Sequence, residues 1–231
     1  MSSTFNRQFR TRIKVCGLTR AQDVDAAVNA GVDAIGFVLY EPSPRSVSIK
    51  KLTELVKQLP PLVTPILLFV NPSFEQVRRA CNEIAHATLQ FHGDETASQC
   101  TEMSDGRPFW KAARIPLGIA GAGFNLLKYV EDYSSAQAVL LDSLVEGYGG
   151  GGKAFNWSTL PPNVNANLVL SGGLNALNVA EGILEVRPRC KSLTVDVSSG
   201  VEFPDQKGIK DTREIFKFVA AVKSADQNIS N

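Results

Sequence analysis

Apolar strand-like runs alternate with amphipathic helical stretches along the whole 231-residue sequence. Eight such units recur at spacings of roughly 20–30 residues. Strict alternation predicts a parallel sheet. Eight units in a chain slightly under the ~250 residues usual for the fold predict an α/β protein, a single (β/α)8 or TIM barrel. The competing architecture, an open doubly wound sheet that binds a dinucleotide, wants a G-x-G-x-x-G after an early strand, and none is present. No linker, low-complexity stretch or short repeat divides the chain. One domain is expected over 1–231, with 1–11 as a short polar extension.

The first strand is read at 12–15. Thr19 follows as an N-cap with Gln22 at capping-box spacing, and Ala21, Val24, Val28 and Gly31 fall at helical intervals. The second strand is 34–38. Ser48 then precedes a helix carrying Ile49, Leu52, Leu55, Val56 and Leu59, stopped by Pro60 and Pro61. A third strand at 65–70 leads to a second capping-box pair, Ser73 and Gln76, and an apolar stripe of Phe74, Val77, Cys81 and Ile84.

The fourth strand is 87–91, with Thr96 and Gln99 capping a weaker helix. The fifth is 108–112, followed by a helix at 126–133, and the sixth is 138–141. A glycine-rich loop at 147–152 comes next, with only a weak helical signal around Trp157. The seventh strand, 168–170, precedes a helix with Val179, Ile183 and Val186. The eighth, 192–195, precedes a helix that begins at Asp211, has Glu214 three residues on, and buries Ile215, Phe218, Val219 and Val222.

Composition excludes several classes of function. Hydrophobic residues are 44% and charged residues 20%, which is incompatible with a disordered or collagen-like chain. Lys+Arg 24 against Asp+Glu 23 gives +1, so no basic domain coats nucleic acid. No apolar run approaches the ~18 residues of a membrane span. The four cysteines form no C-x-x-C and have no histidine at zinc-ligand spacing, so neither a metal site nor a disulfide framework is expected. They suit a reducing cytoplasm. The start of the chain is rich in Arg and hydroxyl residues, as transit peptides are, but a strand follows at once.

In a barrel, reactive residues sit just after the strands, where the βα loops build the active face. Cys16 follows the first strand. It reads equally as a small apolar strand end or as a base or nucleophile whose thiolate is favoured by the nearby helix start and Arg20. Asp142 ends the run Ala-Val-Leu-Leu-Asp and reads equally as a buried loop organiser or as an acid/base. Together the two could form a base–acid pair. Ser171-Gly172-Gly173 after the seventh strand and Ser198-Ser199-Gly200 after the eighth can turn backbone N–H groups toward a phosphate.

Arg45, in a proline-restricted loop, could offer its fork to a carboxylate, although taken alone it reads as a solvated loop arginine. His92, after the fourth strand, reads either as a general base or as a rim residue bonded to backbone, and it and Asn71, after the third, are expected to line the site. Asp23, Asp25, Asp94 and Glu95 read as helix-terminal charges, and His86 as a surface residue. The segment Gly147 to Lys153 satisfies G-x-x-x-x-G-K, but Ala154 replaces the hydroxyl residue that would hold magnesium, so it reads as a mobile ligand-covering loop rather than a nucleotide site.

These residues stand in ordered motifs. They are Lys14-Val-Cys-Gly-Leu-Thr-Arg20, Gly36-Phe-Val, Ser43-Pro-Arg45, Phe69-Val-Asn71, Leu89-Gln-Phe-His-Gly93 and Leu140-Leu-Asp-Ser143. They continue through 149–153 with Phe155-Asn-Trp157, Ser171-Gly-Gly-Leu174, Asp196-Val-Ser-Ser-Gly-Val-Glu202 and Gly208-Ile-Lys-Asp211. The ordered set resembles the phosphoribosylanthranilate isomerase family of tryptophan biosynthesis over nearly the whole chain.

The resemblance implies an Amadori rearrangement of N-(5-phosphoribosyl)anthranilate without metal or organic cofactor. It implies Asp142 as general acid, Cys16 as general base, and Arg45 on the substrate carboxylate. Gly172, Gly173, Ser198 and Ser199 would hold the phosphate, with Asp196 shaping that loop. It also implies a monomer or homodimer whose partner is a small phosphosugar, with neither nucleic acid nor membrane. Two departures are modest: Gly151 stands where the family often has threonine, and Asn156 where aspartate is common. The alternatives are another sugar-phosphate barrel enzyme, such as a metal-dependent epimerase or an aldolase using Lys111, or a barrel that binds its phosphate ligand without turnover.

Overall fold

Eight parallel strands, each hydrogen-bonded to the next and the last to the first, form a closed barrel in the order β1 to β8. The computed structural model describes residues 10–118, 123–144 and 154–229. The strands are β1 Arg12–Cys16, β2 Ala34–Val38, β3 Thr64–Phe69 and β4 Thr88–Phe91, then β5 Phe109–Pro116, β6 Ala138–Leu144, β7 Asn167–Leu170 and β8 Ser192–Val197. The helices are α1 Ala21–Ala30, α2 Ile49–Val56, α3 Phe74–Glu83, α4 Ala97–Ser104, α5 Leu126–Asp132, α6 Val179–Val186 and α7 Thr212–Ile229. Among the described residues between β6 and β7 stands a 3-10 turn, Trp157–Thr159, where only a weak helical signal is legible. The expected glycine-rich loop and residues 1–9 of the expected extension lie outside the described residues.

The strands are apolar because both faces of a parallel sheet are covered. β2 is buried throughout. One continuous core fills the layer between barrel and helices and includes Val15, Ile35, Phe37, Leu67, Phe91, Leu141 and Phe218. A second cluster, Cys16, Val38, Leu68 and Val70 with Tyr40 packed on it, is separate from that layer. No helix among the described residues is long and apolar enough to cross a membrane.

The ends of several elements follow their caps. Ser73 with Gln76 and Thr96 with Gln99 form complete capping boxes, and the Ser48 side chain accepts from Lys51 N. Thr19 does not cap α1. Its hydroxyl donates to Gly208 O at 3.2 Å, and the N-cap is Arg20, which makes no side-chain cap bond. Gly31 ends α1 with φ 89° rather than continuing its stripe. Phe74 is solvent-exposed, so the buried stripe of α3 is Val77, Ala80 and Cys81. β5, β6 and β8 run beyond their expected ends, to Pro116, Leu144 and Val197. At the opposite end of the barrel, Thr11 is buried, and Asp226 of α7 accepts from its N–H at 2.8 Å and its hydroxyl at 2.7 Å. Arg187 joins both residues.

Because Phe218 is fully buried in the layer between barrel and helices, Phe218→Ala is expected to destabilise the fold by about 3–5 kcal/mol. Its exposed neighbour Phe216→Ala is expected to change stability by no more than about 0.5 kcal/mol. Urea unfolding of the two variants checks both.

Candidate active site

One cavity opens at the C-terminal ends of the strands, with about 640 Å³ of free space including its mouth. That is within the usual range for a small-ligand site. Cys16, Arg45, His92, Asp142, Gly172, Gly173, Asp196, Ser198 and Ser199 all line it. Asn71 does not. Its backbone is left-handed at φ 47°. It accepts from Asp94 N at 2.7 Å and donates its own N–H to Glu95 at 2.7 Å, so it shapes the loop behind His92. Gln90 and Tyr40 line the cavity and were not singled out from the sequence.

Cys16 ends β1 among Val38, Leu68, Val70 and Tyr40. Burial pushes its thiol up, against the opposing pull of the Lys14 ammonium. Arg20, the cation near it in sequence, is turned away: its guanidinium is paired with Asp23 and donates to Lys210 O. The Cys16 carbonyl accepts from Ser198 Oγ at 3.0 Å, which ties β1 to the loop after β8.

Asp142 lies on the polar side. His92 Nε2 is 2.9 Å from its Oδ2, and Ser143 N donates to Oδ1 at 2.8 Å. Gln90 Nε2 is 3.0 Å from His92 Nδ1. With the amide in this orientation, Gln90 donates to Nδ1 and the histidine proton sits on Nε2, aimed at Asp142. Gly172 closes over the same carboxylate at φ 77°. A Cβ there would lie 2.7 Å from Ser143 N and 2.8 Å from Asp142 Oδ1. Only glycine meets both the backbone and the space requirement.

Arg45 is buried rather than solvated. Its Nε and Nη2 donate side-on to Glu202 at 2.7 and 2.8 Å. Lys210 Nζ holds the same carboxylate at 2.8 Å and also donates to Ser198 O at 3.0 Å. Burial pushes the Glu202 carboxyl up, but Arg45 and Lys210 together hold it below its ordinary value. This side-on pairing leaves the outer edge of the guanidinium for a second acceptor.

Other expectations are revised. Glu95 is no helix-terminal charge but the buried counter-ion of Lys111 at 2.7 Å. Lys111 also donates to Gly93 O at 2.7 Å, so the candidate aldolase amine is a structural cation. Asp23 is likewise buried and paired. Among the described residues no group of three or more His, Cys, Asp or Glu side chains is arranged to hold a metal ion.

The profile of the N-(5'-phosphoribosyl)anthranilate (PRA) isomerase family matches residues 13–221. The N-(5'-phosphoribosyl)anthranilate isomerase of Methylibium petroleiphilum is 54% identical over 221 residues, covering 96% of this chain and 98% of its own. That of Leptothrix cholodnii is 55% identical over 217 residues, covering 94% and 93%. The crystal structure of the Thermotoga maritima phosphoribosyl anthranilate isomerase superposes with a TM-score of 0.75 at 34% identity, covering 93% of this chain and 99% of the other. A phosphoribosyl anthranilate isomerase in complex with reduced 1-(o-carboxyphenylamino)-1-deoxyribulose 5-phosphate superposes with a TM-score of 0.72 at 32% identity, with the same coverage.

A carboxyl held below its ordinary value stabilises the fold above that value, and the contribution disappears as pH falls through the folded pKa. Glu202→Gln is therefore expected to be less stable than wild type at neutral pH, with the gap closing in acid. Unfolding measured between pH 7 and pH 3 checks this.

Proposed function

The chain belongs to the N-(5'-phosphoribosyl)anthranilate isomerase family and is an isomerase, and on that premise we propose that it isomerises N-(5-phosphoribosyl)anthranilate in tryptophan biosynthesis with Asp142 as general acid and Cys16 as general base. The product is 1-(2-carboxyphenylamino)-1-deoxyribulose 5-phosphate, formed by an Amadori rearrangement. The observation that carries the reading is the sharing of one cavity by a thiol on an apolar wall and a hydrogen-bonded carboxyl on a polar one.

Protonated Asp142 gives its proton to the furanose ring oxygen. The C1–O bond breaks, and the anthranilate nitrogen lone pair forms the C1=N iminium. The Cys16 thiolate then removes the proton from C2. The C–H electrons form the C1–C2 double bond and the iminium pair returns to nitrogen, giving an enolamine. Loss of the C2 hydroxyl proton and gain of one at C1 complete the ketone. The iminium is the electron sink, so C2–H is acidified within the substrate. Each positioned proton transfer contributes about 10²–10⁴-fold.

The hydrogen bonds from His92 and Ser143 N hold the Asp142 carboxyl in one orientation. The wall of Val38, Leu68 and Val70 suits the aryl ring, and the free edge of Arg45 suits its carboxylate. The phosphate fits the backbone N–H groups of Gly172, Gly173, Ser198 and Ser199 at the loops after β7 and β8. Asp196 shapes that end of the site through its tie to Lys14.

The test is an anthranilate-fluorescence assay on substrate generated in situ, with EDTA present. Wild type is expected to turn over. Cys16→Ser and Asp142→Asn are expected to lose at least about 10²-fold in kcat while still binding a product analogue. Arg45→Ala is expected to raise KM. Near-wild-type rates in both catalytic variants would defeat the mechanism, and no turnover by folded wild type would defeat the assignment.

A further inference from the structure

We propose that Lys14 is a positioning residue for the base: its buried ammonium holds and stabilises the Cys16 thiolate, and Asp196 sets how much of that charge the sulfur receives. The proposal rests on Cys16 being the base. Lys14 lies on β1 two residues before Cys16, so the two-residue period of a strand turns both side chains to one face. It is wholly buried, and lysine is almost never buried without a partner. Its Nζ is 2.9 Å from Asp196 Oδ2, on the residue directly in register across β1 and β8.

An ion pair alone does not account for the arrangement, because apolar residues of similar volume often serve stability as well as a buried pair does. The second observation is Gly36 on β2. A Cβ built there would lie 2.6 Å from Cys16 Sγ and 3.0 Å from Lys14 Cε. The sulfur and the end of the lysine stem therefore crowd into the same gap, which the missing side chain leaves open. Burial pulls the Lys14 ammonium down, but the charges of Asp196 and Cys16 raise it above its ordinary value. The third observation is Asp196 Oδ1, a buried oxygen with no hydrogen-bond partner among the described residues, on a carboxylate that lines the cavity beside Cys16.

Three further cations on this side of the rim are committed elsewhere. Arg20 is held by Asp23, Arg45 by Glu202, and Lys210 by Glu202 and Ser198. His92 and Asp142 face each other on the polar side of the cavity. The charges that decide the Cys16 thiolate are thus Lys14 in favour and Asp196 against, with Lys210 a lesser favourable one. Burial pushes the Cys16 thiol up, which makes its thiolate strongly basic, as a carbon acid requires, and Lys14 pulls the other way.

The test is the pH profile of iodoacetamide alkylation of the full-length protein, read by mass spectrometry on the peptide carrying Cys16. Lys14→Met is expected to slow alkylation at pH 7.5 by about tenfold or more, whereas Lys14→Arg stays near wild type. Asp196→Asn is expected to speed it. Because Lys14→Met leaves a buried carboxylate unpaired, the double variant Lys14→Met/Asp196→Asn guards against misfolding, and it should react about tenfold more slowly than Asp196→Asn alone. All variants should converge at the alkaline plateau, where every thiol is ionised.

A double variant as reactive as Asp196→Asn, or single variants that shift in the same direction, would overturn the proposal. A plateau that differs would show altered access to the sulfur and would overturn it as well. Turnover measured alongside separates the two readings. An active Cys16→Ser removes the base assignment, whereas the alkylation profile judges Lys14 whatever that result.

Discussion

Among the described residues three ammonium groups are shut inside the protein, at Lys14, Lys111 and Lys210, and they rank among the largest fully buried side chains. Each is answered by one carboxylate: Asp196, Glu95 and Glu202. An unpaired charge at such depth would cost several kcal/mol, so each pair pins two segments together. Lys14 ties β1 to β8, Lys111 ties β5 to the loop after β4, and Lys210 ties two parts of the loop after β8 while sharing Glu202 with Arg45 from the loop after β2. The rim on which the cavity opens is thus held by paired charges as well as by packing.

That skeleton divides the cavity into two environments. On one side the thiol of Cys16 stands against Val38, Leu68, Val70 and Tyr40. On the other the Asp142 carboxyl receives hydrogen bonds from an imidazole and a backbone amide. In the proposed reaction the two groups act in opposite directions, one accepting a proton and one giving it, and that calls for different surroundings. Gly172 is what allows the loop after β7 to close onto the second side without disturbing it.

Much of the fold was legible in the sequence because the strands are built around short apolar runs, and because Ser48, Ser73 and Thr96 announce their helices. Thr19 also precedes its helix, but it does not cap it. The loop carrying Gly208 competes for its hydroxyl, which is a tertiary contact that no local spacing encodes. Most of the candidate site residues were legible from their position after strands and their ordered motifs, whereas Gln90 and Tyr40 carried no such signal. The partners of the site residues were not legible: Glu202 meets Arg45 across 157 positions of sequence, and Asp196 meets Lys14 across 182. A usable signal did exist. A lysine inside an apolar parallel strand, as Lys14 and Lys111 are, has no wet face to occupy and must be buried with a counter-ion.

The closure of β1 onto β8 has a consequence for how the chain reaches its shape. The strand made first finds its second neighbour only when the strand made last is available, and Thr11 finds Asp226 across 215 positions. During synthesis β1 therefore carries an unpaired edge while seven further strands are assembled, and an unpaired edge is a template for wrong pairing. Contacts of such long range close late and slowly. The buried pair of Lys14 and Asp196 can form only at that final step, so the charge environment of the sulfur and the completed ring arise together.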